Sequence, residues 1–448
     1  MKKDTSLLRN FFNIYVVLVL QNVITLSVNL SDNMMLGAYS ETALAGVAAV
    51  NQIQFIYQQI LFALGDGLVI FCSQYWGKKQ IIPMKKIAAT AMKTGLIAAV
   101  LLFTAVSLFP DEIVGLFTTD TAIIAEGVAF LKIFRFTYFF FAVTMLLLAT
   151  LRSVEVVKVA FYLSIMTLLI NCSINYVLIF GKFGMPQLGA RGAAMGTLTA
   201  RILEMVVLIL YIIKKETSLG LTIKDYLNFD RELSKDYLKI TAPMVVVQGL
   251  WGMNTALQTV ILGHMNSAAI AANSMASTLF LVVKSMAVGA ASATAVIIGK
   301  TIGTGNIGMV KEYARQLQRL FVVIGVVGGI SLFLLRIPIL GLYDLSASTK
   351  TMANQFLIIL SVVFVGMSYQ MPTNNGIIRG GGNAMFVVKM DIISIWFIVL
   401  PLSFVMAFVV KASPAVVVCC LNADQIFKCV PAFLESHYGN WIRKLTRE

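Results

Sequence analysis

The chain has 448 residues, 58% hydrophobic and only 12% charged, with a mean hydropathy of +0.85. Soluble domains carry about twice that charged fraction, so a water-soluble enzyme, a disordered tail and a coiled coil are excluded, and the lipid bilayer is the solvent that fits. The net charge of +14, from 35 Lys plus Arg against 21 Asp plus Glu, would suggest nucleic acid in a soluble protein; here it needs another explanation.

Apolar stretches of roughly 20 residues, the length a helix needs to span about 30 Å of hydrocarbon, recur along the sequence. They predict twelve transmembrane helices, near 12–34, 43–73, 88–109, 123–148, 157–180, 188–213, 240–263, 268–298, 318–338, 351–377, 385–411 and 413–434. Lys2, Lys3 and Arg9 precede the first, which runs past Asn29 with no small-residue cleavage site and reads as a retained helix. An even number of spans puts both termini on one side. With the N-terminus inside, 26 of the 35 basic residues fall on cytoplasmic segments and 5 on external ones: Lys182, Arg191, Arg336, Lys350 and Lys411. That bias orients the chain and predicts a multi-pass protein of the plasma membrane with cytoplasmic termini.

The segment 214–239 mixes charges of both signs at the middle of the chain and reads as a cytoplasmic linker between lobes 1–213 and 240–434, with a tail at 435–448. Sliding the sequence by 226 positions pairs Leu36 with Leu262, Gly37 with Gly263, Ala43 with Ala269, Gly77 with Gly303 and Lys85 with Lys311. Helices 1 and 7 both start inside, so the repeats are parallel, related by an axis along the membrane normal. Such duplication is typical of secondary transporters, with a cavity between the halves as the expected substrate site. The five cysteines lie in apolar runs without zinc-ligand spacing, His264 and His437 form no cluster, and no phosphate-binding loop or hydrolase constellation is present. The reading is an all-α integral membrane protein that is no enzyme, has no nucleic-acid partner and needs no cofactor.

A carboxylate in hydrocarbon is costly, so acids within the spans are candidates for function. In the first half these are Asp32, Asp66, Glu126 and Glu204; helices 7, 8 and 10 hold none, which concentrates the carboxylate chemistry in the first half. Asp32 is either a titratable switch or a cap at the boundary of helix 1; its repeat partner is the neutral Gln258. Asn171 and Asn175, four apart on one face of helix 5, together with Thr197 in the small-residue start of helix 6, either complete a polar pocket around Asp32 or serve as packing glue. Glu204 is either paired to Arg201 or a second protonation site, and Asp66, between Gly65 and Gly67, has the same two readings. Lys284, at mid-depth in helix 8 with Gln58 as repeat partner, either faces a cavity, contacting anions or repelling cations, or snorkels.

In order along the chain stand Asp32-x-x-Met35-Leu36-Gly37, Ser73-Gln74-Tyr75-Trp76-Gly77, the Arg152 turn, Asn171-x-x-x-Asn175-Tyr176-x-Leu178-Ile179-Phe180-Gly181, Gly189-x-x-Gly192-Ala193-Ala194-x-x-Thr197 and Arg379-Gly380-Gly381-Gly382-Asn383. This series resembles the multidrug and toxic compound extrusion (MATE) family over essentially the whole chain. The resemblance implies twelve helices in two six-helix lobes, and antiport of lipophilic, mostly cationic compounds against entering H+ or Na+ by alternating access. It makes Asp32 the coupling carboxylate and Asn171, Asn175 and Thr197 its partners. Asn175 stands where some members have an aspartate, so Na+ binding at Asp32 is less favoured than H+. Trp251 and Ser368 replace acids that one branch uses in helices 7 and 10, which argues against an acidic site in the second lobe. Val17 replaces a helix 1 proline, although its repeat partner is Pro243. The expected partners are an amphipathic small molecule and the lipid bilayer, with the protein acting as a monomer. The rival expectation is a flippase for a lipid-linked oligosaccharide or another amphipathic lipid, which Lys284 would suit.

Overall fold

A computed structural model describes residues 2–216, 218–227, 230–265, 267–342 and 346–447. Runs of Leu, Ile, Val, Phe and Ala leave backbone polar groups to be satisfied within each segment, and in lipid the helix does this alone. Among the described residues the chain is helical, with one isolated bridge between Gly382 and Ile442. Eleven helices there are long and apolar enough to cross a membrane, and twelve when a bent pair counts as one span.

The elements in order are α1 (Lys2–Tyr39), α2 (Glu41–Gly77), α3 (Ile81–Leu108), the short α4 (Pro110–Gly115), α5 (Thr121–Phe134), α6 (Thr137–Ser153), α7 (Lys158–Phe180), α8 (Ala190–Lys214) and a 3-10 turn at Ile223–Leu227. They continue with α9 (Arg231–Met265), α10 (Ser267–Gly303), α11 (Ile307–Leu342), α12 (Ala347–Met371), α13 (Ala384–Ile392), α14 (Leu400–Phe404), α15 (Pro414–Leu421), α16 (Asp424–Phe427) and α17 (Cys429–Tyr438). The span expected at 123–148 is the bent pair: α5 and α6 meet at 56°. At that break the Thr137 hydroxyl donates to the Phe134 carbonyl (2.7 Å), and the Arg135 guanidinium lies over the rings of Phe103 and Phe136, each at 5.3 Å. The span expected at 385–411 is α13 and α14 joined through π-helical turns at Ile393–Val399 and Val405–Val409, and a third π-helical turn, Pro372–Ile378, prolongs α12. Proline lacks the N–H that a regular ladder needs, and a wider turn at Pro372 accommodates that.

The chain divides into two compact units. One comprises Leu20–Cys72 and Gln80–Thr241. In it α7 packs on α8, α3 on α6, and α5 and α6 on α8. The connection after α8 is tied to the start of α3 by Lys85 to Asp225 (3.0 Å) and Lys86 to Asp230 (3.0 Å), and by a Thr90–Ser234 hydroxyl pair at 2.7 Å.

The other unit comprises Met1–Val19, Ser73–Lys79 and Ala242–Glu448. Its apolar core gathers Phe280, Phe356, Phe364, Leu360 and Met367, where α12 packs between α10 and α11. Gly77, at the end of α2, faces the Lys300 carbonyl and Gly303, while Gly303 faces the Gln74 carbonyl and Gly77. These four residues are repeat partners at the offset of 226, so the contact maps onto itself under the internal repeat, and a side chain on either glycine would strike backbone. The segment read as a tail begins within α17 and folds back on the glycine turn. Trp441 is 1% exposed and packs against Gly381, and the Arg443 amide donates to the Gly381 carbonyl at 2.8 Å. The Gln74 side chain bonds both the Arg443 carbonyl (3.1 Å) and the Leu445 amide (2.9 Å).

Candidate functional site

Asp32 lies inside α1, seven residues before the helix ends at Tyr39. A carboxylate in the C-terminal part of a helix opposes the helix dipole, so the boundary-cap reading is corrected: the helix runs through Asp32, whose partner comes from another helix. Asn175 Nδ2 donates to Asp32 Oδ1 at 2.7 Å and to Asn171 Oδ1 at 3.2 Å, and Asn171 Nδ2 donates to Thr197 Oγ1 at 3.2 Å. The Thr197 hydroxyl donates to the Ala193 carbonyl one turn back (3.0 Å), leaving its lone pairs to the asparagine. Asp32 accepts at one end, and from Asn175 the remaining donors run away from it, through Asn171 and Thr197 to the Ala193 carbonyl. Asn171 and Asn175 are buried, whereas Asp32 and Thr197 are half-buried.

Small residues make this contact possible. A Cβ at Gly192 would strike the Leu178 backbone, and one at Gly196 would strike Asn175 Oδ1. The glycines at i and i+4 on α8 thus receive the backbone of Leu178 and the side chain of Asn175 on α7, a close approach of the kind small-residue stripes permit in membranes.

The same face of α8 carries Arg201 and Glu204, one and two turns beyond Thr197. They pair at 2.7 Å, with Glu204 5% exposed and the guanidinium 4.8 Å over the Phe141 ring. Arg201 is the cation whose field reaches Asp32. Sequence reasoning paired Glu204 with Arg201 but did not connect Arg201 to Asp32; the i, i+4, i+7 spacing of Thr197, Arg201 and Glu204 was the available signal. Asp66 lies apart from this cluster, ion-paired with Arg152 at 3.1 Å, which ties α2 to the end of α6. Gln58 on α2 and Gln258 on α9 are half-buried. Lys284 on α10 places its ammonium 4.6 Å over the Trp251 ring of α9.

The expectation that intramembrane carboxylates belong to the first half is corrected. In the second half Lys428, its side chain 4% exposed, pairs with Asp391 at 2.8 Å and with Asp424 at 3.0 Å. Lys428 is therefore a buried counter-ion. Hydrogen bonds continue from Asp424 to Gln425 (2.7 Å), from Gln425 to Gln370 (2.7 Å) and from Gln370 to Asn374 in the π-helical turn (2.9 Å). The spacing of Asp424 and Lys428 at i, i+4 was legible, but the meeting with Asp391 on another helix was not. Among the described residues, no group of three His, Cys, Asp or Glu side chains could hold a metal ion.

Long apolar helices, paired as two repeats and holding one hydrogen-bonded acid among three of them, define a polytopic membrane transporter. The sequence matches the MatE family over residues 18–177 and again over 243–405, so one match falls in each repeat. It is similar to the probable multidrug resistance protein NorM of Thermotoga maritima (25% identical, covering 96% of this chain and 92% of that protein) and to the probable multidrug resistance protein YoeA of Bacillus subtilis (26%, covering 92% and 89%). A mutant of the Vibrio cholerae MATE transporter VcmN superimposes with a TM-score of 0.90 at 15% identity, covering 99% of each chain. A transporter of Pyrococcus furiosus does so with 0.85 at 15% identity, covering 95% of this chain and 94% of that one. The chain belongs to the MatE family of multidrug and toxic compound extrusion transporters.

Proposed function

We propose that this transporter is a proton-coupled antiporter that expels lipophilic, predominantly cationic small molecules across the plasma membrane by alternating access. In this reading it acts as a monomer, with both termini in the cytoplasm, and performs no enzymatic reaction and uses no cofactor. The observation that carries the proposal is the hydrogen bond from Asn175 Nδ2 to Asp32 Oδ1. Asn175 commits both N–H groups, to Asp32 and to Asn171, and turns its oxygen toward Gly196. The neighbour of the acid thus presents donors, which stabilise a carboxylate, and withholds an oxygen that a metal cation would coordinate. A proton asks only for the carboxylate. The multidrug-resistance names of two relatives support the substrate class.

In this cycle Asp32 takes up a proton from outside, is neutral when the cavity closes, and releases the proton inside. Losing the charge weakens the hydrogen bond that Asn175 donates to it and the attraction for a cationic substrate. Exchange of one proton for one monovalent cation moves no net charge, so the pH gradient drives it: each unit of pH supplies about 1.4 kcal/mol, enough for roughly tenfold accumulation. The test is transport of a fluorescent lipophilic cation by proteoliposomes under separately imposed H+ and Na+ gradients. A proton gradient alone is expected to drive efflux; dependence on Na+ alone would reject the proton reading.

A further inference from the structure

We infer that the segment 439–447 is a conformational strap: fastened, it holds the end of α2 against α10, and its release lets α2 move as one helix. The inference goes beyond the antiporter reading and rests on it for the alternation between two states. The strap, the glycine turn at 379–383 and the end of α2 (Ser73–Lys79) all belong to one compact unit, whereas the rest of α2 belongs to the other. Yet α2 runs from Glu41 to Gly77 as one helix without proline, so no break in its own geometry explains the division at Cys72 and Ser73. The contacts made by Ser73–Lys79 explain it.

Gln74 is the clasp. Its side chain is fully buried; Nε2 donates to the Arg443 carbonyl at 3.1 Å and Oε1 accepts from the Leu445 amide at 2.9 Å. The adjoining Tyr75 hydroxyl accepts from the Arg447 amide at 3.1 Å. A carboxamide both donates and accepts, so Gln74 grips the strap by its backbone from two sides. Its partner at the repeat offset of 226 is Lys300, which cannot accept, so the second repeat cannot form the same two-way bond. The close contact of Gly77 with Gly303 and the Lys300 carbonyl holds the same stretch of α2. Fastened, the strap secures that contact, and any state that parts α2 from α10 there must open the clasp.

One end of the strap is anchored and the other is suited to opening. At the anchor Trp441 is packed on Gly381 and donates from Nε1 to the Ser436 carbonyl at 2.8 Å. Nearby, Asn383 Nδ2 donates to Glu435 Oε1 at 2.9 Å. Beyond Trp441, Arg443, Lys444 and Arg447 are exposed and Leu445 and Thr446 half-buried, with no helical turn among them. A segment that buries so little apolar surface opens at low cost, and water entering behind it replaces the hydrogen bonds of Gln74 and Tyr75. Trp441 stays seated while 443–447 lifts.

The test uses the full-length protein in proteoliposomes, with Cys72, Cys172, Cys419, Cys420 and Cys429 replaced by alanine. Ser73 is fully buried against Gly299, so a thiol introduced by Ser73→Cys reports the parting of α2 from α10. Its reaction with a water-soluble maleimide is expected to be about fivefold faster or more when Gln74→Ala or Trp441→Ala is added; equal rates overturn the inference. In a second arm Gln74→Cys and Lys444→Cys are joined by a short bis-methanethiosulfonate, which makes the clasp covalent. Flux of a fluorescent lipophilic cation down its own gradient is expected to fall about tenfold or more and to return on reduction. Undiminished flux, or a loss that reduction does not reverse, overturns the inference. Flux that the bridge stops but a proton gradient does not drive sinks the antiporter reading alone, whereas proton-driven efflux indifferent to the bridge sinks this inference alone.

Discussion

A methyl group on residue 196 would strike Asn175 Oδ1, so the glycine there decides which way the Asn175 amide faces. Because Asn175 points its N–H groups at Asp32 and Asn171, the smallest change on α8 should act on the acid of α1 without touching it. Gly196→Ala is expected to cut proton-driven efflux at least tenfold while costing about 1–3 kcal/mol of stability, the range for overpacking. Efflux and thermal unfolding of the same preparation check this; full activity would detach Asn175 from the coupling step. At this scale the sequence announced what spacing can announce: Asn171 and Asn175 four apart, and Gly192 and Gly196 four apart. It did not announce Asp391 meeting Lys428, because that contact joins different helices and the spacing within either one says nothing of the other.

The connection between α8 and α9 is held as an element by a few polar contacts to α3. Asp225 accepts from the Thr222 amide (2.8 Å) and from Lys85 (3.0 Å), and Lys85 also donates to the Gly220 carbonyl (2.6 Å). Burial is the largest single influence on the Asp225 carboxyl and raises it, but the hydrogen bonds from Thr222 and Lys85 together with the Lys85 charge outweigh burial and hold the carboxyl below its ordinary range. A depressed carboxylate contributes its stability in full above its unfolded value of about 4 and loses it as pH falls through the lower folded value. Amide exchange in 218–227 is therefore expected to be about tenfold faster in Asp225→Ala than in native protein at neutral pH, and the difference should vanish at pH below about 3. A difference that persisted in acid would assign the protection to something other than this carboxylate. Most elements were legible from hydrophobic run length alone. The break between α5 and α6, the three π-helical turns and the packed segment after α17 were not, because each answers to local sterics or to a tertiary contact that average hydropathy does not register.

For the whole molecule, the strongest signals were statistical and needed no single residue: the uneven distribution of lysine and arginine between alternate connecting segments, and the repeat offset of 226. The family match over 18–177 and 243–405 and the reciprocal contact of Gly77 with Gly303 agree with that offset. The sidedness carries its own expectation. A green fluorescent protein fused after the C-terminus should fluoresce and an alkaline phosphatase fused there should be inactive; the reverse pair would invert the topology. What run lengths could not convey was how the two units share the chain. The first 19 residues and residues 73–79 group with the second half, so α1 and α2 each divide between the units, and Asp32 lies on the part of α1 that groups with α7 and α8.

The central claim is that one carboxylate couples proton entry to substrate exit, and Asp32→Asn in proteoliposomes tests it most directly. Asparagine keeps the volume and can still meet Asn175, but it cannot take up and release a proton. Under an imposed proton gradient the variant is expected to lose concentrative efflux of a lipophilic cation, falling to the rate of liposomes without protein, while remaining folded by thermal unfolding. Proton-driven efflux in Asp32→Asn at the native rate would contradict the account.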